Sequence, residues 1–409
     1  MSENPLSLAV RAFTAGNLPA SEILCRDALD ADPKNAAALN MLGIIAANVG
    51  AVEPAEGLFQ AALRAEPGNT ETRQNLALLK QVPRPQPMAG GAKRYLVIKA
   101  WGFGFWSDVS QVLGALLLAE ITGRIPVTHW GQNSLFGDGS DRDAFGLYFK
   151  PVSDVTLTDL SRIEHPTFFP AKWRKDNLTD EDVTKWQGSG SRAAAIYFLN
   201  KSETVAVNDF YIGVANVAPW IPASHPMHGQ PLTTIYRYLI DKYLHPLPAT
   251  QAAGDAFFRD NLRGRPFVAV HVRGSDKIVE DRNLNAVNQS YFTALAAVDP
   301  SWRIFLLTDD ENWRTKLTDR FGDRIVTTDC QRTETTTGVH YLPSVNRVQA
   351  GMEVMTDTYL ALRADRFIGN GSSNVSAMIA VMKDWPPGDC TLIGASALMQ
   401  RNLFIHVKP

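Results

Sequence analysis

Four polar residues lie at or just beyond the end of an apolar run in the second half of the chain. The run Pro266-Phe-Val-Ala-Val-His-Val272 predicts a buried strand, and its end carries His271, Arg273, Asp276 and Lys277. Ligands of open α/β sheets bind at the carboxyl ends of strands. Residues 271 and 273 project to the same side of an extended segment, and Arg273 can hold a phosphate through two hydrogen bonds. A single arginine here would usually be a surface residue, but the group favours an anion site, where Asp276 and Lys277 fix the turn or add a charge.

A second candidate anion site lies near the carboxyl terminus, in Gly369-Asn-Gly-Ser-Ser-Asn-Val375. This segment joins a strand-like run to a helical one, so Ser372, Ser373 and Asn374 fall at a predicted helix start. Backbone amides and small hydroxyl side chains at a helix N-terminus form a cradle for phosphate. A plain helix cap needs one serine, and the repeated small polar residues therefore favour a binding role.

Two acidic residues, Asp309 and Asp310, follow the strand-like run Arg303-Ile-Phe-Leu-Leu307 and open a helix. Acidic residues at a helix start often serve as the cap or complement the helix dipole. Either carboxylate could instead accept hydrogen bonds from a ribose or base, or brace Arg273. The sequence leaves these alternatives open.

A glycine turn, Trp101-Gly102-Phe-Gly104-Phe-Trp106-Ser107, lies between a strand and a helix. Gly102 and Gly104 would let the backbone approach a ligand, and the following helix N-terminus favours anions. The alternative is a tight turn with aromatic packing. Further along, Arg347 lies near His340 and Tyr341 in a predicted loop and is a candidate for a further contact, without an assigned role.

These candidates need a scaffold of alternating strands and helices, and the sequence predicts one from Arg94 onward. Strand-like runs are followed by helical stretches, which indicates parallel sheets; the runs are 95–99, 125–130, 266–272, 303–307, 324–327 and 366–369. A helix is predicted at about 107–122. We expect an α/β protein with two doubly wound halves, 94–250 and 251–409, facing each other across a cleft. The loop-rich segment 131–250 would supply the acceptor side.

The first eighty residues have a different, all-helical pattern. Residues 28–35 and 62–69 repeat the same motif at an offset of 34 residues. Small residues at Gly43, Ala55 and Ala62, with Pro67 after the second helix, resemble tetratricopeptide repeats. The alternative is a pair of unrelated helical hairpins. So few repeats bury little surface on their own, so we expect domain 1–82 to lean on the next domain or on another copy, with 83–93 as a Pro/Gly linker.

Composition restricts the function classes. The chain has 409 residues, a net charge of −2 and three cysteines in no metal-ligand spacing. This charge gives no basic footprint for nucleic acid, and the cysteine count fits a reducing compartment. We expect no signal peptide, because the first residues lack a basic region followed by an apolar core. The longest apolar run, 112–119, falls short of the roughly 20 residues that span a bilayer. We expect a cytoplasmic, bacterial protein without a membrane span.

The motifs in this order resemble the fucosyltransferase superfamily, which includes the core α1,6-fucosyltransferases, the rhizobial nodulation fucosyltransferases and the protein O-fucosyltransferases. The resemblance spans roughly residues 94–385. It depends on the motifs above together with Asp357 in an Asp-x-x-x-Ala-Leu-like stretch and Phe367-x-x-x-x-Ser-Ser-x-Val375. Core α1,6-fucosyltransferases carry a second arginine directly after the first, and this chain has Gly274 there. The acceptor class therefore does not carry over.

The resemblance implies a GT-B fold and inverting, metal-independent transfer of fucose from GDP-fucose to a glycan or protein acceptor. Arg273 would contact the β-phosphate, Ser372 and Ser373 would bind phosphate, and Asp357 and Asp310 would lie near the nucleotide. An inverting displacement also needs a group that takes the proton of the acceptor hydroxyl. By position in the family, Asp281 or Glu280 is the candidate.

Two other functions stay open. The fold could use another nucleotide sugar, since the sequence does not show base selectivity. Alternatively, the repeats could recruit a protein partner or form a homodimer while the transferase domain is degenerate; the intact set of Arg273, Asp276, Lys277, Ser372 and Ser373 argues against that. We expect no metal. The one Asp-x-Asp of the transferase part, Asp141-Arg-Asp143, follows a Gly-Asp-Gly-Ser stretch and is interpreted as a surface turn.

Overall fold

A computed structural model describes residues 4–81, 93–181, 193–280 and 284–401. The chain begins with five helices: α1 (Pro5–Thr14), α2 (Leu18–Ala31), α3 (Ala36–Asn48), α4 (Val52–Ala65) and α5 (Thr70–Leu79). Four of them begin after an asparagine whose side chain accepts a backbone N–H of the first turn: Asn4, Asn17, Asn35 and Asn69. Asparagine is among the best residues at this position. None of the helices in the described ranges is both long and apolar enough to cross a membrane.

The helices α3 and α4 pack closely because residue 43 is a glycine. A Cβ atom at Gly43 would lie 2.6 Å from Cδ1 of Phe59, which is well inside van der Waals contact. The prediction of a small residue at this helix crossing fits that geometry. Whether the five helices belong to the tetratricopeptide family stays a prediction. Nearly all of the proposed linker 83–93 lies outside the described residues.

The first sheet has four parallel strands in the order β2-β1-β4-β3. They are β1 (Tyr95–Lys99), β2 (Ile125–His129), β3 (Phe168–Phe169) and β4 (Val205–Asn208). The helix α6 (Phe105–Ile121) connects β1 to β2, and its residues 105–119 are all buried. Two short helices, α7 (Leu157–Ser161) and α8 (Val214–Val217), lie in the connections that follow.

The second sheet has five parallel strands in the order β7-β6-β5-β8-β9. They are β5 (Phe267–His271), β6 (Arg303–Leu307), β7 (Ile325–Val326), β8 (Arg366–Asn370) and β9 (Cys390–Ile393). From β5 the chain proceeds outward in one direction through β6 and β7, and then returns to the other side of β5 with β8. The carboxyl ends of β5 and β8 therefore border the crevice at which open sheets bind ligands.

The remaining helices lie before, between and after the strands of the second sheet. They are α9 (Leu232–Tyr243), α10 (Pro248–Asn261), α11 (Lys277–Glu280), α12 (Leu284–Ala296), α13 (Glu311–Phe321), α14 (Arg347–Ala361) and α15 (Asn374–Met382). The prediction of an α/β protein with parallel sheets is confirmed. The domain boundary that we place at residue 250 falls within α10. The strands β3, β4 and β9 were not predicted, because they are only two to four residues long.

The two halves meet through buried polar contacts at the base of the cleft. The indole Nε1 of Trp106, on α6, donates a hydrogen bond of 2.8 Å to Oγ1 of Thr358, on α14. The Tyr148 hydroxyl donates a hydrogen bond of 2.6 Å to the carbonyl oxygen of Phe136 within the first half, and its oxygen lies 3.3 Å from the carbonyl oxygen of Val348 on α14. Because an unpaired polar group is costly in a buried position, the bond from Trp106 fixes how α6 and α14 face each other.

The N-terminal helices pack against the first half. The indole Nε1 of Trp220 donates a buried hydrogen bond of 2.7 Å to Glu22 on α2, and the Arg26 guanidinium lies 4.6 Å from the centre of the Trp220 ring. Glu22 and Arg26 also form an ion pair with each other. At the other end of the chain, Arg401 pairs with Asp27 and Asp30 of α2. The short helical array thus leans on the rest of the chain.

Candidate functional site

A cleft of about 570 Å³ lies between the two halves. The first half lines it mainly with aromatic side chains: Trp101, Phe103, Phe105, Trp106 and Phe136. The second half lines it mainly with polar residues that follow β5, β6 and β8. A mostly apolar wall facing a few convergent polar groups is the usual composition of a ligand site.

The guanidinium of Arg273 is held in place by two carboxylates. Its Nη1 donates to Asp309 and its Nη2 donates to Asp276. The Ser275 hydroxyl also donates to Asp309, at 2.5 Å, and to Asp276, at 2.9 Å. All three ionic side chains are about one-fifth exposed and line the cleft. The arrangement fixes the orientation of the arginine while leaving part of it open to a ligand.

Asp310 lies behind this ion pair and is not among the residues that line the cleft. Its Oδ1 accepts the backbone N–H groups of Asn312 and Trp313, so it is the N-cap of α13. Its Oδ2 accepts the N–H of Ser275 at 3.2 Å. The structure therefore places Asp310 in a supporting position behind Arg273, and its contact with the donor stays a prediction. Of the two adjacent acidic residues, Asp309 is the one that reaches Arg273.

His271 is buried at the end of β5 and lines the cleft. Its Nδ1 lies 2.7 Å from the Ser376 hydroxyl, and burial, together with the nearby Arg273, lowers the pKa of His271 to about 3. The imidazole is therefore neutral at pH 7. It connects β5 to α15 and supplies no positive charge to a bound anion.

The start of α15 meets the cleft opposite Arg273. Ser372, Ser373 and Asn374 all line the cavity. The backbone N–H and the hydroxyl of Ser372 both donate to Oδ1 of Asn370, at 2.9 Å. Ser373 is the N-cap residue of α15, and no side chain caps this helix end. The N–H groups of the first turn thus lack an intrahelical partner, which suits a phosphate.

The two glycines of the turn after β1 have different surroundings. The backbone N–H groups of Gly102 and Phe103 donate to Oδ1 of Asp108, at 3.0 and 3.3 Å. Gly102 has a φ of +87°, which a glycine adopts without strain, and it is not among the residues that line the cleft. Its contact with a donor stays a prediction. Gly104 lines the cleft as the residue before α6, whose start has no side-chain cap.

Asp357 lies on α14 and also lines the cleft, although only 7% of it is exposed. The Thr328 hydroxyl donates to its Oδ1 at 2.7 Å. Burial raises the pKa of Asp357 to about 6, against the opposing effects of Thr328 and Arg332. Near neutral pH this carboxyl group is therefore close to the pH at which its charge changes.

The two candidate proton acceptors from the sequence lie at and beyond the end of a described segment. Lys277 begins α11 and lines the cleft, and Glu280 ends that helix. The side chain of Glu280 and the whole of Asp281 lie outside the described residues.

The segment between β7 and α14 contributes cleft residues that have no role assigned from the sequence: Gln331, Thr336, Val339, His340 and Tyr341. Burial is the largest effect on the pKa of His340 and lowers it. One signal was available: this connection is long and has almost no regular structure, and such loops in compact domains are usually functional.

No cluster of three or more metal-ligating side chains occurs in the described part of the chain. Both aspartates of the Asp-x-Asp pair accept hydrogen bonds from nearby residues. Asp143 accepts hydrogen bonds from the Thr128 hydroxyl and the Trp130 N–H, and Asp141 accepts one from Gln132. These contacts are those of a braced turn.

Fold and cleft together define a two-sheet α/β protein in which an arginine and an uncapped helix start lie at the switch point of its second sheet. No family model and no curated protein matches the chain. Among solved structures, it is similar to the fucosyltransferase NodZ from Bradyrhizobium, with 18% identity, a TM-score of 0.46 and coverage of 71% of this chain and 92% of that one. It is also similar to POFUT1 in its apo form, with 16% identity, a TM-score of 0.44 and coverage of 75% of this chain and 100% of that one. An Arabidopsis thaliana FUT1 mutant in complex with GDP has 10% identity, a TM-score of 0.45 and coverage of 85% of this chain and 78% of that one.

Proposed function

We propose that the protein is an inverting, metal-independent glycosyltransferase that moves fucose from GDP-fucose to a glycan or protein acceptor. One observation carries the proposal. Arg273 and the uncapped start of α15 line the same cleft, at the carboxyl ends of the neighbouring strands β5 and β8. A side-chain cation and a set of backbone amides thus converge where an open sheet binds phosphate.

The chemistry of the proposed reaction needs this arrangement. Breaking a bond between a sugar and a diphosphate builds negative charge on the departing phosphate. Preorganised donors stabilise such charge most effectively, and losing one donor costs about 3 kcal/mol in the transition state. Arg273, Lys277 and the α15 amides would supply this stabilisation, and Asp309 and Asp276 hold the arginine ready for it.

The choice of GDP-fucose follows from the order of the sequence motifs, which resembles that of the fucosyltransferases. In this assignment Asp357 and Asp309 face the nucleotide side, and Ser372, Ser373 and Asn374 hold the diphosphate. The aromatic wall of the first half would receive the acceptor. The absent second arginine, at Gly274, leaves the acceptor class open.

The experiment is a panel of GDP-, UDP- and dTDP-sugars, read by thermal shift and by release of the nucleoside diphosphate. Turnover of GDP-fucose supports the proposal. A selective response to another nucleotide sugar would show that this sugar is the donor and that GDP-fucose is not. A protein that responds to no member of the panel would favour an interaction module with a degenerate transferase domain.

The site is tested with Arg273→Ala, which should lower kcat/KM by at least about 100-fold, because one transition-state donor is lost. Arg263→Ala removes an exposed arginine that does not line the cleft and is the matched control. Retained activity in Arg273→Ala would contradict the site assignment.

A further inference from the structure

His340 occupies the boundary between the two walls of the cleft. It belongs to the connection between β7 and α14, in the second half, and its ring centre lies 5.9 Å from that of Phe136, in the first half. The residue lines the cavity and is half-buried. A group that acts on an acceptor while the second half holds the donor must lie at such a boundary.

The imidazole also lies close to the Arg273 ion pair. A Cβ atom built on Gly338 would be 3.0 Å from Cε1 of His340 and 3.1 Å from Cγ of Asp276, so both side chains contact the same point of the backbone. Asp276 is the partner of Arg273. His340 is thus separated by one carboxylate from the cation that we assign to the departing phosphate.

The carboxylates of the cleft are already engaged in hydrogen bonds. Asp276 and Asp309 accept from Arg273 and Ser275, and Asp357 accepts from Thr328. Glu353 accepts the Gln331 N–H at 3.0 Å and the Gln349 side chain at 3.3 Å. By contrast, neither ring nitrogen of His340 takes part in a hydrogen bond with another described residue. Neither nitrogen is a fully buried atom without a partner.

The charged groups around His340 set its protonation state. Burial lowers the pKa of His340, and Arg273 and Arg347 lower it further, while Asp276 opposes them. The neighbouring Tyr341 contributes a ring centred 4.3 Å away. The imidazole is therefore neutral at pH 7 and able to accept a proton. The negative charge of Asp276 would stabilise the imidazolium that results.

We propose that His340 is the general base that removes the proton from the acceptor hydroxyl. This inference rests on the proposed function. The acceptor oxygen forms a bond to the anomeric carbon as its proton passes to a ring nitrogen of His340. The bond between that carbon and the β-phosphate oxygen breaks, and its electron pair leaves with GDP. The imidazolium then returns the proton to solvent.

The test compares His340→Asn with the full-length wild type in transfer from GDP-fucose. General-base catalysis contributes about 100- to 10,000-fold, so we expect kcat to fall by that factor while the Kd for GDP stays within about twofold. His340→Ala should regain part of its activity with added imidazole. His245→Asn, an exposed histidine that does not line the cleft, is the matched control and should keep wild-type kcat.

A pH profile gives a second readout that a merely structural role would not change. The wild-type kcat should fall on the acid side with an apparent pKa below 6.5, and His340→Asn should lose that limb. Transfer within about threefold of wild type in His340→Asn would overturn the inference, as would loss of transfer in Glu280→Gln or Asp281→Asn alone. Wild-type protein that turns over no GDP-fucose would instead overturn the proposed function.

Discussion

The carboxylate of Asp310 occupies the space that a side chain on Gly274 would need. A Cβ atom at residue 274 would lie 2.7 Å from Cγ of Asp310 and closer still to its Cβ and Oδ2. Asp310 cannot easily retreat, because the same carboxylate caps α13 and accepts the N–H of Ser275. The glycine at the position of the second arginine of core α1,6-fucosyltransferases is thus required by the packing of this chain.

We predict that Gly274→Ala destabilises the protein. Overpacking of this kind costs about 1–3 kcal/mol, and the clash would also displace the 274–276 turn that carries Asp276. Calorimetry should show a lower Tm, and donor binding should weaken.

Gly57→Ala is the matched control. Gly57 lies inside α4, and a Cβ atom added there would meet no other atom within 4 Å. Alanine favours the helix by about 0.5–1 kcal/mol relative to glycine, so the Tm should rise slightly. A Gly274→Ala protein as stable as wild type would show that Asp310 moves aside freely.

Asp357 should make stability depend on pH in an unusual direction for a carboxyl group. Its pKa is raised from the ordinary value of 3.8 to about 6 in the folded state. The folded protein therefore binds more protons than the unfolded chain between these values, and stability is lost as pH rises from about 4 to about 6. Asp357→Asn keeps an acceptor for Thr328 and removes the charge.

The measurement is the Tm of wild type and Asp357→Asn from pH 4 to pH 8. The stability of the variant relative to wild type should increase between pH 4 and pH 6, by up to about 3 kcal/mol in the free energy of unfolding for a pKa shift of this size. Above pH 6 the difference in stability between the two proteins should stay constant. A difference that is the same at every pH would contradict the raised pKa.

Trp220→Phe should loosen the N-terminal helices without unfolding the sheets. The variant keeps most of the apolar ring but leaves the buried Glu22 with Arg26 in place of two donors, and a lost hydrogen bond to a charged group costs about 1.5–3 kcal/mol. Hydrogen exchange should accelerate in α1 and α2. Trp385→Phe, which removes an indole donor to Ile379 in the second half, is the control and should leave these two helices unchanged. Equal protection of α1 and α2 in both variants would show that other contacts dominate the docking.

The sequence predicted the parts of the site that depend on strand ends and helix starts. Polar residues after apolar runs placed Arg273 and Ser373 correctly at the edge of one sheet, since parallel strands end on the same side. It could not decide between Asp309 and Asp310, because which carboxylate turns back to cap α13 depends on the path of the chain after β6. The same holds for Gly102, whose N–H is taken by Asp108 one helical turn into α6.

His340 was out of reach for a more general reason. Its position depends on how a long connection returns over the cleft, and no periodic pattern encodes such a path. The short strands β3, β4 and β9 were missed for a related reason, since their two to four residues acquire strand geometry from their neighbours in the sheet.

The contacts of Trp220 and Arg401 with α2 hold the N-terminal helices against the rest of the chain in the way that an interface holds two subunits together. The first contact comes from the first half and the second from the end of the described chain, so neither depends on the connection through residues 83–93. A cut in that connection would leave two fragments held by a buried indole–carboxylate bond and an arginine between two aspartates. Whatever the helices bind would therefore be presented to the cleft from a fixed position, and would not swing on a tether.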